Sequence, residues 1–388
     1  MAWRETSTVS LRREFCALAQ AEGANVSELC RRFGISRKTG YKWLGRYAAE
    51  GAAGLADRPR RPRGSPGRTA AAVEARVVAL RDAHPTWGGR KLERRLQDLG
   101  EPAPPPSTIT AILHRHGRIA PAASAARAPW RRFERDAPNA LWQMDFTGDF
   151  PLARGRCYPL HVLDDHARYV VGLVACADQR AATVRAALTE LFARYGLPWA
   201  ILCDHGTPWG TTQAESGLTA LRAWLERLDV AVVHGRPAHP QTQGKVERAN
   251  RTLGEDLGWR RAGSTEAPPA PRYPDLAACQ AAFDRWRATY NHERPHEALD
   301  DATPASRYAP SPRRFPAELP PVAYPAGDEV RRVQADGDVD FRGRQFRVSK
   351  ALIGERVALR PTAEAGVWTV HFGTIRVRTL DLGRPRAA

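Results

Sequence analysis

Leu141-Trp142-Gln143-Met144-Asp145-Phe146-Thr147 is a short apolar run with a single acid inside it. Its length and its bulky side chains read as a strand in a core rather than a helix. The pattern downstream keeps the same character. Residues 158–163 and 169–175 predict two more strands, joined by a turn at Asp164-Asp165-His166. Residues 181–195 carry helical periodicity and stop at Gly196-Leu197-Pro198, where glycine and proline end the helix. Residues 199–203 predict a buried strand, 215–228 a helix, 230–234 a strand, 243–259 a helix and 276–292 one more helix. Three strands, then helix, strand, helix, strand, helix, require a mixed sheet. That is the order of an RNase-H-like α/β domain, here placed at 139–308.

Upstream the chain is helical. Residues 11–21, 26–33 and 36–49 predict three short helices, with Asn25 and Ser36 as N-caps and Gly34 between the last two. The third opens with Arg37, Lys38 and Thr39 and continues through Tyr41 and Lys42. Helix, short turn and a helix with a polar, basic start is the helix-turn-helix order, in which those residues meet base edges and phosphates. Arg37, Lys38, Thr39 and Lys42 are the candidate DNA contacts; a three-helix bundle with a basic face is the plainer alternative. Helices at 70–83, 90–99 and 107–116 repeat the arrangement, with Ser107 and Thr108 opening the last. Two such units in tandem can read a longer site. They occupy 1–62 and 66–120. The Pro/Arg-rich stretch 51–68 reads as a linker, whose arginines either follow a phosphate backbone or merely keep it solvated. After Pro-rich residues 309–325, the period-two pattern of 329–382 predicts a small β-barrel domain at 325–388.

Bulk properties agree with a polyanionic partner. The chain has 388 residues, 43% of them hydrophobic, and a formal net charge of +17. Such an excess points first to DNA or RNA. The six cysteines are scattered without a CxxC pair, against a disulfide framework or zinc finger. With no signal-peptide pattern and no membrane-length apolar run, the expected location is the cytoplasm, in association with the nucleoid.

Three acids stand at element ends or inside elements. Asp145 lies in the first strand, Asp204 ends the run Ile201-Leu202-Cys203-Asp204, and Glu247 lies in Gln243-Gly244-Lys245-Val246-Glu247-Arg248. They are separated by 58 and 42 intervening residues. A carboxylate among apolar neighbours is costly without a partner. Mg²⁺, or Mn²⁺, prefers such oxygen ligands. Phosphoryl transfer on DNA uses two metals about 3.5–4 Å apart. Three acids suffice if one bridges, and Asp145 is the natural bridge. The plainer readings are a turn or cap residue for each Asp and a salt bridge with Lys245, Arg248 or Arg251 for Glu247. Asp149, Asp164 and Asp165 read as turn residues.

Trp142–Thr147, Asp204-His205-Gly206-Thr207-Pro208-Trp209, 239–248, Tyr290-Asn291-His292-Glu293-Arg294-Pro295-His296 and Thr303-Pro304-Ala305 resemble the integrase core of bacterial insertion-sequence transposases in the retroviral-integrase superfamily. The tandem helix-turn-helix layout resembles the same proteins. The resemblance implies a DDE recombinase that cleaves at transposon ends and joins the 3′-hydroxyls to target DNA, with two metal ions on Asp145, Asp204 and Glu247. It also implies that Gln243, Lys245 and Arg248 hold DNA phosphates, that the DNA partners are terminal inverted repeats and target, and that the protein works as at least a homodimer. His205 departs from the family's usual Asn, and the second spacing is longer than is common. A catalytically inactive DNA-binding regulator, or an RNase-H-type nuclease of RNA–DNA hybrids, would share parts of this pattern.

Overall fold

The first three helices begin where their caps predict. The Ser10 N–H donates to Ser7 Oγ ahead of α1 (Thr8–Ala19), the Ser27 and Glu28 N–H groups donate to Asn25 Oδ1 ahead of α2 (Val26–Arg32), and the Thr39 N–H donates to Ser36 Oγ ahead of α3 (Arg37–Glu50). Each bond satisfies an amide that the helix leaves without an internal partner. The structure, a computed structural model, describes residues 7–58, 68–119, 134–204, 206, 208–210, 217–234, 244–258 and 272–383. It divides into two units, Met1–Arg68 and Thr69–Ala388.

In the first unit Phe15, Cys16, Cys30, Trp43 and Leu55 close one small core. Gly40 lets α3 approach its neighbours: a Cβ there would stand 2.6 Å from Cys30 Sγ and 3.0 Å from Phe15 Cζ. The linker expectation needs correction at its start. Gly51–Leu55 form a 3-10 turn, Leu55 is fully buried, and Arg12 Nη1 donates to the Leu55 carbonyl at 2.8 Å. One large apolar side chain with a core to enter outweighs the turn-like composition around it. Residues 59–67 of the expected linker lie outside the described residues.

The second unit begins with α4 (Ala71–Ala83), α5 (Gly89–Asp98) and α6 (Pro106–Arg115), which bury Val77, Leu80, Trp87, Leu92, Leu96, Ile109, Ile112 and Leu113 together. The sheet follows. Its strands are β1 (Trp142–Phe146), the two-residue β2 (Phe150–Pro151), β3 (Arg156–Asp164), β4 (Val170–Cys176), β5 (Ala200–Cys203) and β6 (Ala231–His234). The order across it is β4-β3-β1-β5-β6, with β2 on the start of β3. The β4–β3 and β3–β1 pairs are antiparallel; β1–β5 and β5–β6 are parallel. This is the mixed sheet that the element order required; only β2 was not legible.

Period-two alternation assigns the faces. Trp142, Met144, Leu160, Val162 and Val171 pack against α7 (Ala181–Tyr195) and α8 (Ala220–Arg227). Cys157, Leu163, Val170 and Leu173 pack against α9 (Gly244–Asp256) and α10 (Leu276–His292). Gln143 and Asp145, one step out of phase with Trp142 and Met144, therefore face α9. All six cysteines are buried and free. Among the described residues no helix is long and apolar enough to cross a membrane.

The C-terminal strands are β7 (Glu329–Arg332), β8 (Asp338–Phe341), β9 (Arg344–Arg347), β10 (Arg356–Pro361), β11 (Val367–Phe372) and β12 (Ile375–Asp381). They form an open four-stranded sheet, β12-β11-β10-β7, and a separate β8–β9 hairpin, instead of the expected closed barrel. The alternation was read correctly, but closure depends on which edges pair, and period two does not encode that. The core beneath these strands also takes in Leu218 and Ala223 beside α8. Arg227 on α8 donates to Glu355 Oε1 at 2.9 Å and to the carbonyls of Leu319 and Pro320. The Pro-rich stretch is thus held along the core: Arg313 donates to the carbonyls of Pro198, Leu228 and Asp229.

Gly89 marks the tightest helix crossing in the helical part of this unit. A Cβ there would lie 2.5 Å from the Pro106 carbonyl oxygen and 2.8 Å from Thr110 Oγ1. Alanine normally improves a helix position by up to about 1 kcal/mol, but overpacking against backbone costs about 1–3 kcal/mol. Gly89→Ala is therefore expected to lower the thermal midpoint by several degrees in calorimetry; a raised midpoint would contradict the packing described.

Candidate active site

Asp145 sits in β1, opposite His161 of β3 in the antiparallel register. Its carboxyl is pushed up from 3.8 to about 6, first by burial and then by the negative charges of Asp204 and Glu247. The Phe146 N–H and the Asn250 amide act the other way. Three acids from three elements therefore share one electrostatic neighbourhood. Among the described residues no group of three or more His, Cys, Asp or Glu side chains is drawn close enough to form a ready metal cage. Like charges without a cation repel one another, and that repulsion adds to the burial that already raises Asp145.

The loop after β5 carries Asp204. Its Oδ1 accepts from the Gly206 N–H at 3.1 Å, and its carbonyl accepts from His234 Nδ1 at 2.8 Å. His234 ends β6 beside Cys203, so the parallel β5–β6 pair fixes where this loop leaves the sheet. Trp209 anchors the far side: it is buried and stacks on Phe146, with ring centroids 6.0 Å apart. His205 lies outside the described residues.

Glu247 lies in the first turn of α9 and is exposed, while Val246, Ala249, Asn250 and Leu253 turn toward the sheet. Asn250, three residues after Glu247, donates from Nδ2 to Asp145 Oδ2 at 3.0 Å. Its Oδ1 accepts from His161 Nδ1 at 2.6 Å. Full burial holds His161 down to about 4, so the ring is neutral at physiological pH. An imidazole donor on the amide oxygen fixes which way Asn250 points, and so directs its amino group at the acid. His161 in turn meets the Trp286 ring edge-on.

A second buried acid holds the start of α9. Asp165 is fully buried and accepts from Gln143 Nε2 at 2.7 Å, Lys245 Nζ at 2.6 Å and the Arg135 N–H at 2.8 Å. Gln143 also accepts from the Val246 N–H at 3.3 Å. Asp165 stands in the expected turn, whereas Asp164 ends β3 opposite Trp142, and both are buried and hydrogen-bonded. Asp164 accepts from the N–H groups of Ala167 and Asn139. Lys245, expected at a DNA phosphate, forms this ion pair with Asp165; burial lowers its ammonium to about 8. Asp149 pairs with Arg156 at the surface.

The remaining expected DNA contacts fall into two groups. Arg37, Lys38 and Lys42 are exposed on α3, while Thr39 is half-buried and bonded to Ser36. Lys42 also lies over the Trp43 ring, 4.5 Å from its centre. Ser107 is exposed and Thr108 half-buried at the start of α6. Arg248 is exposed on α9, and Gln243 lies outside the described residues. Sequence reasoning missed Asn250, His161 and the Gln143–Asp165–Lys245 clamp. The first was within reach, since a residue one turn after Glu247 shares its side of the helix.

The domain profiles that match are a helix-turn-helix domain over 12–63, a homeodomain-like domain over 39–113, an integrase core domain over 135–240 and again over 228–304, and the IS481 family transposase C-terminal domain over 328–387. The Gag-Pol polyprotein of Koala retrovirus is 30% identical over 136 residues, covering 35% of this chain and 8% of that protein. That of Baboon endogenous virus (strain M7) is 29% identical over 173 residues, 44% of this chain and 10% of that protein. The chain thus spans about a tenth or less of these viral relatives. The HTLV-2 integrase catalytic core domain in complex with magnesium is similar at 14% identity, over 44% of this chain and 97% of that one, with a TM-score of 0.32. The chain thus carries helix-turn-helix domains ahead of an integrase core domain and an IS481 family transposase C-terminal domain behind it, a layout consistent with an insertion-sequence transposase with an integrase-type core.

Proposed function

We propose that this transposase cleaves DNA at the ends of its element and joins the freed 3′-hydroxyls to target DNA, using Asp145, Asp204 and Glu247 to hold two Mg²⁺ or Mn²⁺ ions. The observation that carries the reading is the elevation of Asp145 by burial together with two other acids. A strand carboxylate that feels the charges of two more acids lacks positive charge, and hard oxygen donors suit these ions. The bound ions would polarise the phosphoryl oxygen and activate the attacking hydroxyl.

The chain's own residues do the positioning. Asn250 engages one oxygen of Asp145, and His161 keeps Asn250 from turning over. Gln143 and Lys245, bonded to Asp165, seat the first turn of α9 and with it Glu247. His234 and Trp209 hold the two sides of the loop that presents Asp204. Small misplacements at such a centre are expensive, because phosphoryl transfer depends on alignment. The exposed Arg37, Lys38 and Lys42 on α3, and Ser107 on α6, would bind the terminal inverted repeats; Arg248, and Gln243 before it, would meet phosphates beside the acids. Two ends must be held at once, which calls for at least a homodimer on the DNA.

On DNA bearing the terminal repeats that flank its gene, wild-type protein is expected to release and join ends only with a divalent cation. Asp145→Asn should lower joining by several orders of magnitude and leave repeat binding intact in a mobility-shift assay. Joining at the wild-type rate would sink the assignment, and a wild-type protein that binds but never cleaves would favour a regulator.

A stability measurement gives a second check. Asp145 ionises near 3.8 in the unfolded chain and near 6 in the folded one. Its charge therefore weighs fully against the metal-free fold above pH 6, and the penalty disappears as pH falls toward 4. With chelator present, Asp145→Asn should be more stable than wild type at pH 8, by on the order of 1–3 kcal/mol. Thermal melts should show the gap closing toward pH 4. Equal stability at pH 8 would mean that neither burial nor the neighbouring acids weigh on the Asp145 carboxylate.

A further inference from the structure

Glu293, Arg294 and Glu297 follow Tyr290 in the chain, and none of them is among the three acids of the candidate site. All three reach toward the α4–α6 helices. Glu293 accepts from Arg95 Nη2 on α5 at 2.6 Å, and Glu297 accepts from Arg90 Nη1 at 3.2 Å. Arg294 donates from Nη1 to Thr86 Oγ1, in the turn before α5, at 3.1 Å. His84, Pro85 and Trp87 of that turn border one cavity together with Asp256, Trp286 and Tyr290, so the turn lies against α9 and α10.

The three bonds are unequal. Arg90 and Glu297 are 70% and 69% exposed, and water and salt screen such a pair. Arg95 and Glu293 are 20% and 38% exposed, and Arg294 is buried, so their two bonds do most of the holding. Arg294 carries the hold onward. It also pairs with Asp256 at 3.7 Å, and Asp256 ends α9, the helix that bears Glu247. On α5 itself, burial and then the charges of Arg294 and Arg248 lower the Lys91 ammonium to about 7. A chain of contacts therefore runs from the turn before α5 to the helix of the third acid. Meanwhile α6 stays open to DNA: Ile109, Ile112 and Leu113 enter the α4–α6 core, while Ser107, Ala111 and His114 are exposed.

Successive phosphates of one strand lie about 3.4 Å apart along a duplex. A slip of that size between α6 and the acids would bring the wrong bond to the site. Charge-assisted, directional bonds resist such a slip, and a loose tether does not. We propose that the seam between α5 and residues 293–297 is a ruler, which fixes α6 relative to Glu247 and so determines which phosphate is cut. Arg95, Glu293, Thr86 and Arg294 are its positioning residues. The inference rests on the functional reading above.

The seam is read by double electron–electron resonance on the full chain, with spin labels at Ala75→Cys on α4 and Glu190→Cys on α7, both exposed. The six native cysteines are buried. The labelled chain is expected to show one narrow distance. Arg95→Glu and Glu293→Arg should each broaden it, and the two together should restore it. On end-labelled repeat DNA the unlabelled wild type should cut at one phosphate. Each single reversal should slow that cut about 10–100-fold and spread cuts to neighbouring phosphates, with repeat binding unchanged in a mobility-shift assay. The double reversal should return the single cut, a rescue of position that a merely structural pair would not give. A distance indifferent to both reversals, or cuts that stay on one phosphate while the distance broadens, would overturn the ruler. A narrow distance that the reversals broaden, in a chain that never cleaves repeat DNA, removes the functional reading and the ruler with it. Cleavage together with an indifferent distance removes this inference alone.

Discussion

One acidic side chain in the middle strand of an otherwise apolar sheet sets the demands that the rest of this structure meets. Asp145 alternates with Trp142 and Met144, so strand geometry alone turns it toward α9. There it is mostly out of water, with the charges of Asp204 and Glu247 nearby. A site of that kind is unstable by itself and useful because of it. The missing positive charge is the feature that a divalent cation, and through it a phosphate, would supply.

Around that demand the surrounding bonds form a rigid frame. His161 directs Asn250, and Asn250 holds Asp145. Asp165, fully buried, joins Gln143 on β1 to Lys245 on α9, and removing one partner of such a buried ion pair typically costs about 3–5 kcal/mol. The bonds that reach α9 join residues 80 to 105 positions apart in the chain, so they form only when the sheet and α9 are assembled. Preorganisation of the acids is then a property of the whole fold, not of any one motif.

Much of the fold was legible in the sequence. Caps at Asn25 and Ser36, the stop at Gly196, and the change from helical to strand periodicity near residue 139 are local signals, and the elements begin and end within a few residues of them. What was not legible depended on distant partners. Leu55 looked like part of a linker until a core received it. The C-terminal strands alternate as a barrel's would, yet strand pairing left two open sheets. At the candidate site Asp145 and Asp204 stand out as carboxylates in or at the end of apolar runs, and Glu247 through the motif around it. The ion pair of Lys245 could not be foreseen, since a lysine beside an acid reads equally well as a phosphate ligand or as half of a buried pair. Its partner Asp165 lies 80 residues away. His161 gives no sequence signal, because a lone histidine in a strand is ordinary.

The most direct measurement is a Mn²⁺ titration of the full chain followed by electron paramagnetic resonance, comparing wild type with Asp145→Asn, Asp204→Asn and Glu247→Gln. The account predicts saturable binding to wild type and weakened binding in each of the three, most severely in Asp145→Asn. Mn²⁺ binding that is absent from wild type, or indifferent to all three substitutions, would contradict it.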